Sequence, residues 1–442
     1  MRIGSRLFLL VGLGLSLLAL TACEAVAAQF RSPSERFQIE GERLLSEGRT
    51  AEAILSYRAA LENDPANVST LKALAKLFAA QGRRRLAQRQ LNTAARLAPQ
   101  DSAIPISLAA MGSTVISTAP LTLTWQTALG DSEPVGLTAN AGRIYVSLND
   151  GTILCLEAVN GQVVWRKNLP AQATSAPGIA GEKLWIGAQD GGLYTLWAAS
   201  GEPDWKFATQ VPIYVPPAVD DAGVYLASGD GTLYALEPAD GSLKWRFTTG
   251  GALHSQPVLA NGILFFGSND ARVYALDASN GAPIWKDGIL TQGAVENQPL
   301  VAEGRVYIGS GDSRVYSLAA ASGGEYWHYS TADAVYAAPL ISGNILYAAS
   351  AGNSLTALDK STGKKLWELR TRSALSAPPL LAGDRLYYVA SGDPHLYAVD
   401  PKTGSPLFDL DCGDWFAAGP ILENQQILLL GKDGTLLALT SR

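Results

Sequence analysis

A tryptophan that recurs about every 40 residues constrains the fold of this chain more than any other feature. The repeated segment is a hairpin-like stretch of alternating apolar and polar residues that leads to the aromatic position, as in GTLYALEPADGSLKW from Gly231. Eight such segments begin at Gly151, Gly191, Gly231, Ala271, Ser313, Asn353, Pro394 and Gly434. Blades of four short strands have this length, so the period predicts an all-β, eight-bladed β-propeller over residues 119–442.

The aromatic positions predict how the propeller closes and packs. The series comprises Trp125, Trp165, Trp205, Trp245, Trp285, Trp327, Trp367 and, in the seventh segment, Phe408. We expect these rings to wedge between blades rather than to bind a ligand. The segment from Gly434 ends before its own Trp, so a strand around Trp125 should complete that last blade. We also expect Tyr194 and Leu196 to face opposite neighbouring blades.

A second repeat, of 34 residues, precedes the first. Gly48, Ala53, Ala60 and Pro65 recur as Gly82, Ala87, Ala94 and Pro99. The run EGRTAEAILSYRAALENDPAN resembles the tetratricopeptide repeat, a pair of helices packed through small residues. The resemblance implies a small all-α domain with two repeats over residues 34–101. Two repeats rarely bury enough core to stand alone, so residues 102–118 are predicted to form a capping helix and linker; the alternative is that the two repeats dock on a partner or on the following domain.

The amino terminus has the pattern of an export signal. Arg2 and Arg6 precede an uncharged apolar run, residues 7–20, which is too short to span a bilayer. The following Leu-Thr-Ala-Cys, ending at Cys23, resembles the site at which bacterial lipoproteins are cleaved and acylated; an ordinary cleavage site is the alternative. The resemblance implies a signal peptide over 1–22, a tether over 23–33 and a lipid-anchored, extracytoplasmic protein. Glu24 then favours the outer membrane in a cell with two membranes, and otherwise the outer face of the plasma membrane.

Charge and composition exclude several classes of function. The formal net charge is −6, which argues against nucleic-acid binding, and three Cys with three His leave no ordinary zinc site. The one dense basic cluster is a solvated face or a contact for anionic lipid, and it consists of Arg83, Arg84, Arg85 and Arg89. Cys155 and Cys412 are predicted to be buried thiols, with a disulfide between them as the alternative.

The repeat resembles a known superfamily. Residues Tyr274-Ala275-Leu276-Asp277, followed by Gly281 and Trp285, resemble the repeat of quinoprotein-type propellers. That superfamily includes pyrroloquinoline-quinone dehydrogenases and a non-enzymatic propeller lipoprotein of the outer-membrane β-barrel assembly machinery. A dehydrogenase would need carboxylates and an amide around a metal, a base and, in many members, adjacent cysteines. No two cysteines are adjacent in this chain, so no quinone cofactor or metal is predicted.

Four successive blades differ from the others where the central channel should open. They place Tyr214, His254, Glu296 with Asn297, and Tyr336 at positions that hold small residues in most other blades. Glu296 with Asn297 would be an incomplete calcium shell, and His254 is the one candidate base. Three interpretations of these rim residues are open: a water-filled polar rim, a site for a peptide or small ligand, and a catalytic site.

The sequence therefore predicts a tethered, non-enzymatic scaffold that binds other envelope proteins through its propeller face and its helical repeats. The alternatives are a pyrroloquinoline-quinone-dependent dehydrogenase and a module that binds cell-wall polysaccharide. The second alternative would use the tryptophans outside the repeated series, namely Trp185, Trp197 and Trp415.

Overall fold

A computed structural model describes residues 31–101, 103–104 and 120–441. These residues form two separate units, one helical and one made of sheets. The predicted signal peptide, Cys23 and nearly all of the predicted capping segment lie outside the described residues. Within the described residues, no helix is long and apolar enough to cross a membrane.

The helical unit consists of two antiparallel helical hairpins. Its helices are α1 (Pro33–Ser46), α2 (Thr50–Asn63), α3 (Val68–Ala80) and α4 (Arg84–Leu97). Small residues let the helices of a pair approach closely, because a Cβ on Gly41 would lie 2.8 Å from the ring of Tyr57. Ala53 and Ala87, equivalent in the two repeats, are fully buried. The predicted tetratricopeptide hairpins are confirmed.

The second unit consists of eight four-stranded antiparallel sheets, each of which is one blade. Blade 1 contains β2 (Pro134–Asn140), β3 (Arg143–Leu148), β4 (Thr152–Glu157) and β5 (Val163–Asn168), and blade 2 contains β6 (Gly178–Ala180), β7 (Lys183–Gly187), β8 (Gly192–Trp197) and β9 (Pro203–Ala208). Blade 3 contains β10 (Ala218–Asp220), β11 (Gly223–Ala227), β12 (Thr232–Leu236) and β13 (Leu243–Thr248), and blade 4 contains β14 (Val258–Ala260), β15 (Ile263–Ser268), β16 (Arg272–Asp277) and β17 (Ile289–Leu290). Blade 5 contains β18 (Leu300–Ala302), β19 (Arg305–Ser310), β20 (Arg314–Ala319) and β21 (Glu325–Ser330). Blade 6 contains β22 (Leu340–Ser342), β23 (Ile345–Ser350), β24 (Ser354–Asp359) and β25 (Lys365–Arg370). Blade 7 contains β26 (Leu380–Ala382), β27 (Arg385–Val389), β28 (His395–Val399) and β29 (Pro406–Asp411). Blade 8 contains β30 (Ile421–Glu423), β31 (Gln426–Leu430), β32 (Thr435–Ser441) and β1 (Leu121–Ala128).

Blade 8 closes the ring with strands that are far apart in sequence. Strand β1 pairs antiparallel with β32, and Trp125 lies opposite Ala438. Beyond the strand, the Leu129 amide donates to the Gly434 carbonyl at 2.8 Å. The predicted closure through Trp125 is confirmed, and with it the eight-bladed fold.

Neighbouring blades pack face to face through apolar side chains. Ile153 of blade 1 shares one buried cluster with Ile186, Tyr194 and Leu196 of blade 2. The prediction that Tyr194 and Leu196 face opposite blades is therefore wrong. Residues two apart on a strand point to the same side, so both contact blade 1, whereas Leu193 contacts blade 3.

Each tryptophan of the series docks on the next blade. Its indole N–H donates to a carbonyl in the turn between the third and fourth strands of that blade, and its ring lies on a glycine of the same turn. The Nε1 to oxygen distances are 3.0 to 3.1 Å, for Trp125 to Ala158, Trp165 to Ala198, Trp205 to Pro238, Trp245 to Ala278, Trp285 to Ala320, Trp327 to Lys360 and Trp367 to Pro401. At Gly161, with φ +69°, a Cβ would lie 2.3 Å from the ring of Trp125.

Phe408 departs from the series for a reason that the topology supplies. It packs toward blade 8, in a cluster with Leu121 and Leu439. The third and fourth strands of blade 8, β32 and β1, are not consecutive in the chain, so no turn with a glycine joins them. An indole at position 408 would therefore lack the surface on which the other rings lie.

The two described cysteines are buried in different clusters and form no disulfide. Cys155 occupies a small core position of blade 1, and Cys412 follows the end of β29. Burial raises the pKa of the Cys155 thiol to about 11.

Candidate functional site

The predicted rim residues lie on segments that join the outermost strand of one blade to the innermost strand of the next. Each segment carries a buried apolar residue immediately before its rim position, such as Ile213, Leu253, Val295 and Val335. A threonine at the start of each of these four segments holds it further: the Thr249 hydroxyl lies 3.0 Å from the Gly231 carbonyl and 2.8 Å from the Gly251 carbonyl and can donate to either. The equivalent residues are Thr209, Thr291 and Thr331. The buried anchor fixes the segment and leaves the following side chain open to solvent.

Three rim side chains from successive blades contact one another. The rings of Tyr214 and His254 are 5.1 Å apart, edge to face. His254 Nδ1 lies 3.7 Å from a carboxylate oxygen of Glu296, which is beyond hydrogen-bond distance, and 3.4 Å from the Asn269 amide nitrogen. About a third of the His254 and Glu296 side chains is exposed, at 34% and 35%. The structure therefore brings an aromatic ring, an imidazole and a carboxylate together at the rim.

The other two predicted residues differ from each other. Tyr336 occupies the equivalent position of the next segment and is exposed. Asn297 is buried: its amide donates to the carbonyls of Val335 at 2.8 Å and Ala337 at 3.4 Å, so it ties two neighbouring segments together. The expectation that Asn297 lines the rim is wrong, because its side chain points into the junction between blades.

The rim residues do not fit a calcium–quinone site. The Asn297 side-chain oxygen is buried, so it is not exposed at the rim beside Glu296. Glu296 is thus a lone carboxylate beside a histidine, which falls short of the six to eight oxygens that calcium takes. Among the described residues no group of three or more His, Cys, Asp or Glu has the arrangement of a metal site.

The tryptophans outside the repeated series lie in different environments. Trp185 is buried in the core between blades 2 and 3, and Trp415 is half-buried. Trp197 is 39% exposed and lines a groove of about 640 Å³ between the same two blades. Sequence reasoning singled out Trp197 but not the charged residues around it, because they come from turns of both blades.

Eight four-stranded blades linked by docked tryptophans, after two helical hairpins, define a quinoprotein-type propeller with tetratricopeptide repeats. A family model described as outer membrane protein assembly factor BamB matches residues 112–216, 198–298, 269–382 and 371–442. The chain belongs to this family. A tetratricopeptide-repeat model matches residues 44–109. No curated protein sequence matches the chain.

Solved structures share the propeller fold at low sequence identity. BamB from Moraxella catarrhalis has a TM-score of 0.65 at 18% identity, with 72% of this chain and 99% of that chain covered. The computationally designed Ika8 protein has a TM-score of 0.64 at 18% identity, covering 72% and 99%. Sqt1 from Saccharomyces cerevisiae has a TM-score of 0.62 at 12% identity, covering 72% and 98%. At these identities the likeness concerns the fold alone.

Proposed function

We propose that this protein is a non-enzymatic scaffold of the bacterial cell envelope that binds other proteins during outer-membrane protein assembly. Membership of a family described as outer membrane protein assembly factors supports this role. The observation that carries it is the exposed contact between Tyr214, His254 and Glu296 at the rim, with Tyr336 on the following segment.

The composition of the rim suits a protein partner. Tyr214 and Tyr336 are 44% and 45% exposed, and tyrosine offers a large contact area with two torsions to fix. The buried anchors Ile213 and Val335 hold the backbone beside them, so ordering the site on binding costs little conformational entropy. Glu296 and His254 add polar contacts that a partner can use to set its orientation.

Site-specific photo-crosslinking tests the rim directly. A photoreactive phenylalanine analogue replaces Tyr214 or Tyr336, and the matched control is Tyr326, which is 56% exposed on the outermost strand of blade 5. In living cells we expect crosslinks to β-barrel assembly proteins from the two rim positions and not from the control. Equal crosslinking from all three positions, or none from the rim, would refute the role of the rim.

The dehydrogenase alternative has its own test. A true cofactor at a hundredfold excess over its Kd would stabilise the fold by about 2.7 kcal/mol. Because the rim offers one carboxylate and the adjacent Asn297 amide is buried, we expect pyrroloquinoline quinone with calcium to leave the melting temperature unchanged. A rise that disappears in Glu296→Gln would establish the cofactor site and overturn the scaffold proposal.

We further propose the anchor and the domain limits that the sequence predicts. These are a signal peptide over 1–22, acylation of Cys23, a tether over 23–33, repeats over 34–101, a cap or linker over 102–118 and the propeller over 119–442. Cys23→Ser is expected to release the protein from membranes or to leave an uncleaved precursor, as seen by fractionation. Mass spectrometry that finds an unmodified mature amino terminus would contradict the anchor. The helical repeats would offer a second surface to envelope proteins.

A further inference from the structure

The groove beside Trp197 lies between blades 2 and 3, on the side where the first and second strands of each blade turn. It is lined by Lys183, Glu182 and Trp197 of blade 2 and by Asp220, Asp221 and Glu237 of blade 3, among others. All of these side chains belong to the propeller. The groove thus combines an exposed indole with several carboxylates.

Trp197 breaks the repeat at a position where five of the other seven blades have an acidic residue, the exceptions being Ala319 of blade 5 and Thr440 of blade 8. The equivalent residue in blade 6, Asp359, accepts hydrogen bonds from the amides of Ser361 and Thr362 at 3.1 and 2.8 Å and so holds the turn after the third strand. Asp400 of blade 7 accepts two equivalent bonds. Blade 2 lacks this carboxylate and exposes an indole instead, so the fold does not account for Trp197.

The exposed charged side chains around the Trp197 indole that have no ion-pair partner among the described residues are negative. The Lys183 ammonium lies 5.2 Å from the Trp197 ring centroid, but it is already paired with Asp204 at 2.6 Å and donates to the Pro238 carbonyl. Glu182 and Asp221 are exposed and form no ion pair with any residue that the structure describes. A cation entering the groove would therefore meet carboxylates without displacing an existing partner.

We propose that this groove binds an arginine side chain of a partner polypeptide. The planar guanidinium stacks on an indole face and can donate two parallel hydrogen bonds to one carboxylate, a combination that neither a neutral sugar nor a compact ammonium reproduces. The inference rests on the proposed protein-binding role, but it uses a surface separate from the Tyr214 rim segment. It identifies the chemistry of the partner that the scaffold recognises.

Fluorine NMR of protein labelled with 5-fluorotryptophan measures binding at one indole. The Trp197 signal is assigned by its loss in Trp197→Glu, which places there the acidic type of residue found in five of the other blades and should fold normally. We expect the peptide Ac-Gly-Arg-Gly-NH2 to shift this signal with a Kd of about 1 mM. The matched lysine peptide, Ac-Gly-Lys-Gly-NH2, should bind several-fold more weakly.

Two further substitutions, combined in one variant, test the carboxylates. Asp221→Asn with Glu182→Gln should weaken arginine binding about tenfold while leaving the melting temperature unchanged, because both residues are exposed. Added salt should weaken binding as well. Arginine binding that is insensitive to both changes would refute the charge argument.

Other probes decide between partners. A shift of the Trp197 signal by cellotriose or chitotriose, with none from the arginine peptide, would overturn the proposal in favour of polysaccharide binding. No shift from any probe would also overturn it. The proposed rim function can fail separately, because arginine binding at Trp197 does not require crosslinks from Tyr214, and those crosslinks should persist in Trp197→Glu.

Discussion

Replacing a single docked indole by phenylalanine should lower the stability of the propeller. The size of the loss depends on whether the carbonyl that accepted the indole hydrogen bond still accepts one from another donor. Trp245 donates to the Ala278 carbonyl at 3.1 Å, and that carbonyl accepts no other hydrogen bond from a described residue. Trp205 donates to the Pro238 carbonyl at 3.1 Å, but Lys183 Nζ donates to the same oxygen at 3.0 Å. The two sites therefore differ in whether the acceptor carbonyl keeps a hydrogen-bond donor after the indole is removed.

The expected change in the free energy of unfolding is the sum of a lost hydrogen bond and a loss of buried apolar surface. A buried carbonyl left without a partner costs about 1 to 3 kcal/mol, whereas a lost hydrogen bond whose acceptor stays satisfied costs about 1 kcal/mol. The smaller ring removes roughly 1 kcal/mol of burial in both cases. We thus expect Trp245→Phe to lower the free energy of unfolding by about 3 kcal/mol and Trp205→Phe by about 2 kcal/mol, so the loss at Trp245 is the larger of the two.

Phe408 supplies the control. Because blade 8 has no turn between β32 and β1, Phe408→Trp should change the free energy of unfolding by less than about 0.5 kcal/mol. Urea unfolding followed by circular dichroism measures all three variants. Equal losses at Trp245 and Trp205, or a stabilisation by Phe408→Trp as large as the loss at Trp245, would refute the account of docking.

Three more outcomes are expected. Gly161→Ala combines a left-handed residue with a Cβ 2.3 Å from the Trp125 ring and should cost about 2 kcal/mol or more, whereas Gly262→Ala, with open space around it, should cost about 1 kcal/mol; thermal unfolding measures both. Deletion of residues 119–130 should expose the edge of β32 and cause aggregation in light scattering, and an equally stable monomer would contradict this. The raised pKa of Cys155 means that the unfolded chain releases its proton first, so stability should fall between pH 9 and 11, and less steeply in Cys155→Ala; equal slopes would contradict this.

The features that recur from blade to blade could be predicted from the sequence. The position of each tryptophan in the series and the closure through Trp125 follow from the period, because each copy must meet the next one in the same way. Residue parity alone would have placed Tyr194 and Leu196 on one face, since side chains on a strand alternate.

The features that depend on one junction could not be predicted. Asn297 follows Val295 by two residues, and both side chains are buried, whereas Glu296 between them is half-exposed. The Asn297 amide is held inward by the carbonyls of Val335 and Ala337, which belong to the next segment along the ring. Sequence spacing does not show which of two adjacent polar residues a neighbouring blade captures.

Repetition within one chain offers a criterion for separating functional residues from structural ones. A departure from the repeat counts for function only when the side chain is exposed and no change in the fold accompanies it. Phe408 fails this criterion because a turn is missing opposite it, and Cys155 and Trp185 fail because they are buried. Trp197 satisfies it, and so does the exposed rim that includes Tyr214. The mixed, partly exposed rim and the acidic groove, which both satisfy the criterion, suit a protein partner better than a buried small-molecule substrate.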